Sequence, residues 1–177
     1  MKDVFFIYDQ CCLYELMVLR YFMRCAGCDA LLLSADGAAI TSAEGIRVTP
    51  DGALGDAAED DIRCMVVPGG FTAAFAHRAA APEVLALLGR LRRQGAVMAG
   101  ICAGVDVLEM AGVLEGVAST HSHPEDMVAD GRVITARANA YVDFAIAVAK
   151  ALSLFADEKD LAETLAFWKG MPSVFPE

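Results

Sequence analysis

The chain has 177 residues, 56% hydrophobic and 21% charged, which suits one folded domain over residues 1–177 and excludes a disordered one. A formal charge of −10 argues against nucleic acid or an anionic membrane as a partner. Only residues 4–8 are apolar behind Lys2 and Asp3, and the longest apolar run, 96–105, falls far short of a membrane span. A cytoplasmic setting is expected, with the six cysteines (11, 12, 25, 28, 64 and 102) as reduced thiols.

Residues 4–8 read as a buried strand, with Asp9 placed to cap the helix that follows. That helix runs to Ala26 and stops at Gly27. Residues 30–34 form a second strand, 38–50 a hairpin around Glu44-Gly45, and 51–61 a loop or weak helix. A third strand, 64–67, is closed by Pro68-Gly69-Gly70. A helix over 82–93, a strand over 96–99 and a helix from Cys102 to about Met110 come next. Residues 117–120 and 132–135 read as short strands, and 141–155 and 161–169 as closing helices. Short apolar runs alternating with helices predict an α/β, flavodoxin-like, doubly wound and mainly parallel sheet. Ligands of such sheets sit beyond the carboxyl ends of the strands, where residues 9–15, 68–71 and Cys102 all fall.

Gly100-Ile101-Cys102-Ala103-Gly104 has the spacing of a nucleophile elbow between a strand and a helix. Small residues two before and two after are needed because the turn is tight. The free N–H groups of the following helix are expected to favour thiolate. The plainer alternative is a buried cysteine in a small-residue turn. Cys25-Ala26-Gly27-Cys28 has redox or metal-ligand spacing, but no second pair completes a zinc site, so it reads as core filler. Cys64, inside a strand, reads as inert, and His77 as a surface-helix residue without a partner.

On a helical wheel Arg20 and Arg24 share one stripe, and Glu15 lies opposite, among Cys11, Val18, Leu19, Phe22 and Ala26. A carboxyl there is desolvated, so its pKa rises, and in protonated form it donates a hydrogen bond to a neighbouring thiolate. His121-Ser122-His123 with Glu125 and Asp126 offers a second, metal-binding reading, but no third ligand is placed by spacing.

The first strand with Glu15, Val66-Val67-Pro68-Gly69-Gly70, Ala99-Gly100-Ile101-Cys102-Ala103-Gly104, Thr120-His121 and Asp130-Gly131-Arg132-Val133-Ile134-Thr135-Ala136-Arg137 together resemble the ThiJ/PfpI superfamily. This family has a class I glutamine amidotransferase-like fold, and the likeness is strongest to its parkinsonism-associated deglycase branch. It covers nearly the whole chain to about Ala149. The resemblance implies Cys102 as nucleophile and redox-sensitive thiol, Glu15 as the acid hydrogen-bonded to it, and the backbone N–H groups of Gly70 and Ala103 as an oxyanion-binding pair. It implies His121 as the histidine near the cysteine, a homodimer, and no required cofactor or metal. Two departures qualify it. Ala103 stands where protease-like members carry histidine, which argues against peptidase activity, and residues 122–129 form a shorter segment than the deglycase branch carries.

The function expected is an enzyme in which Cys102 attacks a carbonyl, nitrile-like or amide carbon of a small molecule, with Glu15 or His121 moving protons. By resemblance small 2-oxoaldehydes and their adducts are favoured, as in glyoxalase or deglycase chemistry, with hydrolase or hydratase action on another small molecule close behind. The alternative is a redox sensor or stress-response protein in which Glu15 holds an oxidised Cys102 as sulfinate.

Overall fold

The computed structural model describes residues 1–71, 73 and 81–170, so His77 lies outside the described residues. In chain order the elements are β1 (Lys2–Phe6), α1 (Tyr14–Cys25), β2 (Ala30–Ser34), β3 (Ile40–Thr41), β4 (Arg47–Val48), β5 (Gly52–Ala53) and β6 (Ile62–Val67). They continue with α2 (Ala81–Gln94), β7 (Val97–Ile101), α3 (Gly104–Met110), β8 (Met127–Asp130), β9 (Val133–Ala136), α4 (Tyr141–Ala151) and α5 (Glu158–Lys169).

Seven strands form one sheet in the order β5-β2-β1-β6-β7-β9-β8, while β3 and β4 make a separate antiparallel hairpin. Every pairing in the large sheet is parallel except that of β8 with β9. The expected α/β, flavodoxin-like class is the observed one. The central strands are buried on both faces, which is why they read as continuous apolar runs rather than alternating ones. Helices α1 and α4 pack on each other, as do α2 and α3, so the sheet is covered on both sides. Chain order reverses between β1 and β6, and that switch point lies at the centre of the molecule.

Four local expectations are corrected. Asp9 does not cap α1: its carboxylate accepts from the Thr41 N–H at 2.9 Å, and Glu44 in the hairpin turn accepts the Tyr14 N–H at 3.0 Å. Residues 117–120 are not a strand, because side chains satisfy their backbone. Asp130 takes the Ala118 N–H at 2.9 Å, and Thr135 Oγ1 takes the Thr120 N–H at 3.0 Å. The strand is β8 instead, antiparallel at the sheet edge, with its last two residues exposed. Residues 51–61 contain β5 and two 3-10 turns, Leu54–Asp56 and Glu59–Asp61. Cys25 is not core filler, being exposed, whereas Cys28 is partly buried against the core and its sulfur accepts from Arg63 at 3.3 Å. Arg63 is itself held by the fully buried Asp3, at 2.9 and 2.5 Å. Cys64 is fully buried, and desolvation pushes its thiol far up. No helix among the described residues is long and apolar enough to cross a membrane.

Candidate functional site

Three adjacent strands, β1, β6 and β7, end at one place. Their outgoing loops are joined through the backbone: Cys11 and Gly70 form a bridge, the Cys12 N–H donates to the Gly69 carbonyl at 3.0 Å, and the Phe71 N–H to the Gln10 carbonyl at 3.1 Å. The Tyr8 hydroxyl fixes the same turn by donating to the carbonyls of Pro68 at 2.9 Å and Gly69 at 3.0 Å. Glycine is required twice here. Gly70 sits at φ +121°, and a Cβ on it would lie 2.1 Å from the Gln10 carbonyl oxygen. A Cβ on Gly69 would lie 2.9 Å from both the Cys102 sulfur and Glu15 Oε2.

Cys102 follows β7 directly and adopts φ +55°, a left-handed conformation that a side-chain-bearing residue holds at a cost on the order of 1–3 kcal/mol. The turn can be this tight because Gly104 brings α3 against β6, where a Cβ would lie 2.2 Å from the Val67 carbonyl oxygen. The sulfur is partly buried and hydrogen-bonded to the Glu15 carboxyl, with the N–H groups of Ala103 and Gly70 also directed at it. Glu15, in the first turn of α1, is 1% exposed, and its Oε2 accepts from the Gly69 N–H at 2.6 Å. The Tyr14 hydroxyl donates to the other oxygen at 3.3 Å.

Burial drives the Glu15 carboxyl above its ordinary value, against the pull of the Gly69 N–H and the Cys102 and Tyr14 hydrogen bonds. Burial also pushes the Cys102 thiol up, as does the Glu15 charge, while the Ala103 and Gly70 N–H groups draw it down. The expectation that the turn alone favours thiolate is therefore corrected: desolvation outweighs the two N–H donors, and the state of the sulfur is tied to that of Glu15. Tyr14 is pushed to about 12, and Cys11 and Cys12 each to about 11, all by burial first.

His121 lines the same cleft as Cys102, with Thr120, Ala136, Arg137 and Ala138, around a volume of about 260 Å³. Its imidazole lies between two carboxylates of α3, with Nδ1 3.1 Å from Glu109 and Nε2 3.2 Å from Asp106. His123 turns instead to the Ser122 hydroxyl at 3.0 Å. Among the described residues no group of three or more His, Cys, Asp or Glu side chains is arranged to hold a metal ion. The structure thus brings Cys102, Glu15, Gly70 and Ala103 into contact and sets His121 on the cleft wall.

Four contributors escaped the sequence reading. The Gly69 N–H and Tyr14 hydroxyl flank known candidates in sequence, and Asp106 and Glu109 sit three apart on the helix after the elbow, a spacing that marks one face.

A sequence profile of the DJ-1/PfpI family matches residues 1–151. No curated protein sequence matches the chain. Among solved structures, a DJ-1 superfamily protein from Agrobacterium tumefaciens is 28% identical with a TM-score of 0.84, covering 96% of this chain and 98% of its own. A thiJ/pfpI family protein from Bacillus anthracis is 18% identical with a TM-score of 0.84, over 97% of this chain and 92% of its own. Oxidized DJ-1 of Toxoplasma gondii is 19% identical with a TM-score of 0.77, over 94% and 96%. With the profile spanning most of the chain and the fold shared from end to end, the protein belongs to the DJ-1/PfpI family.

Proposed function

We propose that the protein is a cysteine-dependent enzyme acting on a small carbonyl or amide-like substrate, with Cys102 as its nucleophile. The observation that carries this reading is the strained Cys102, its sulfur directed at two backbone N–H groups and hydrogen-bonded to a buried carboxyl. The reactive form is the one with the pair's negative charge on sulfur and its proton on Glu15, a transfer that the Ala103 and Gly70 N–H groups favour and that burial of the sulfur and the Glu15 charge oppose. As the sulfur attacks a carbonyl carbon, the C=O π pair moves onto oxygen. The alkoxide meets the Gly70 and Ala103 N–H groups and takes a proton from Glu15. His121, oriented by Asp106 and Glu109, is positioned for a further proton transfer in glyoxalase-, deglycase-, hydratase- or hydrolase-type chemistry.

The reading includes a homodimer in the cytoplasm, working without metal or other cofactor. The family resemblance supports the dimer, as do Tyr14, Met17 and Tyr21, exposed together along α1. The test is steady-state consumption of methylglyoxal by wild type and by Cys102→Ser. Turnover that survives in the serine variant would remove the cysteine from the chemistry.

A second reading, a sensor switched by oxidation of Cys102, draws on the partly exposed sulfur and on the relative of the same fold described as oxidized. It expects limited peroxide to add oxygen at Cys102 before the other five cysteines, as read by peptide mass.

A further inference from the structure

Arg137 lines the Cys102 cleft, and the proposed chemistry leaves its guanidinium unused. A backbone reason puts it there. β9 pairs with β7 so that Ala136 lies opposite Ile101, and the Cys102 N–H extends the ladder by donating to the Ala136 carbonyl at 2.8 Å. The residue after Ala136 must therefore emerge beside the nucleophile. Its own N–H donates to the Asp126 carbonyl at 2.8 Å, which fixes the root of the side chain.

Among the described residues no partner consumes the guanidinium. Its one ion-pair contact among the described residues is Nε to Asp126 Oδ1 at 3.4 Å, between side chains 50% and 58% exposed. Asp126 is shared with the Asn139 amide, which donates to it at 2.9 Å. Arginine presents five N–H donors in a fixed fork, so most of its binding edge stays open. The other carboxylates close by, Asp106 and Glu109, face the His121 imidazole. Among the described residues lining the cleft, Arg137 alone carries a permanent positive charge. At about 260 Å³ the cleft also lies below the range of about 300–1,000 Å³ usual for drug-sized ligands, which favours a molecule of a few carbons.

Resting on the reading of Cys102 as nucleophile, we propose that Arg137 anchors a carboxylate adjacent to the carbon that Cys102 attacks, making small 2-oxo acids or carboxyl-bearing aldehydes the substrate class. The attraction is local. With a formal charge of −10 the whole chain repels an anion at long range, so the selectivity comes from contact in the cleft and not from steering.

Iodoacetate and iodoacetamide test this directly. In both reagents the sulfur displaces iodide from the same methylene carbon, and they differ only in carrying a carboxylate or a neutral amide. Alkylation rates at Cys102, read by peptide mapping, give an iodoacetate-to-iodoacetamide ratio for wild type, Arg137→Gln and Arg137→Lys. Any general change in the thiol or the fold alters both rates and cancels in the ratio. The glutamine variant is expected to lower the ratio about tenfold, the lower end for a charge-assisted hydrogen bond, with partial recovery in the lysine variant. An unchanged ratio in Arg137→Gln would overturn the anchor while leaving Cys102 as nucleophile. Resistance of Cys102 to both reagents, with other cysteines modified, would overturn the nucleophile and the anchor together.

Discussion

Glu15 ties stability to pH. Burial holds its carboxyl above the ordinary value of 4.5, so the native state keeps a proton that the unfolded chain gives up. Stability contributed by that retained proton is full below 4.5 and is lost as pH rises through the native value. Urea unfolding of wild type and Glu15→Gln across this interval should show the wild type losing stability relative to the variant as pH rises. Parallel profiles would mean that Glu15 titrates as an exposed acid. Glu15→Leu removes the carboxyl whose charge and hydrogen bond push the Cys102 thiol up, so the thiol should titrate lower than in wild type by ultraviolet thiolate absorbance. A value that rises instead would show Glu15 donating its proton to the sulfur in the resting protein. Glu15 was legible in the sequence because helical periodicity set a carboxylate among Val18, Leu19 and Phe22, all of which are buried. The thiol's upward push was not, because desolvation depends on how closely Gly69 and the loop after β1 pack over the sulfur, and spacing carries no such distance.

At the scale of elements, the site depends on how closely three turns approach. Gly70→Ala asks a left-handed φ of alanine and drives its Cβ into the Gln10 carbonyl. A loss on the order of 1–3 kcal/mol is expected from the backbone strain, more if the loops separate, as read by urea unfolding. Preferential alkylation of Cys102 should weaken in the same variant, because one N–H donor leaves the sulfur; labelling indistinguishable from wild type would detach Gly70 from the site. Phe144, fully buried on α4, tests the packing of that helix on the sheet: Phe144→Ala should cost about 3–5 kcal/mol. The elbow and most helices were legible because Gly100, Cys102 and Gly104 fix the turn and apolar runs fix the faces. The strand over 117–120 failed, and β8 was missed, for one reason. Backbone groups of 118 and 120 are satisfied by Asp130 and Thr135, partners that local sequence cannot assign.

For the molecule as a whole, alternation of strands and helices revealed a parallel, doubly covered sheet, but not that β5 would form one edge or β8 reverse direction at the other. A two-residue strand such as β5 leaves almost no pattern to read. The proposed homodimer predicts a light-scattering mass of twice 18.8 kDa, and Met17→Glu on the exposed stripe of α1 should shift it toward the single-chain value. A single-chain mass for wild type at micromolar concentration would leave that stripe without a second copy. The joined turns also bear on how the protein is made. The Tyr8 hydroxyl reaches Pro68 across 60 positions, and Cys102 is braced from behind by Ala136. No stretch of chain short of that residue contains all the pieces. During synthesis Cys102 leaves the ribosome before the strand that braces it, so a nascent chain passes through an interval in which the thiol is present without its native surroundings. The reactive centre is in this sense a late product of translation, complete only when β9 has emerged and closed the ladder against β7.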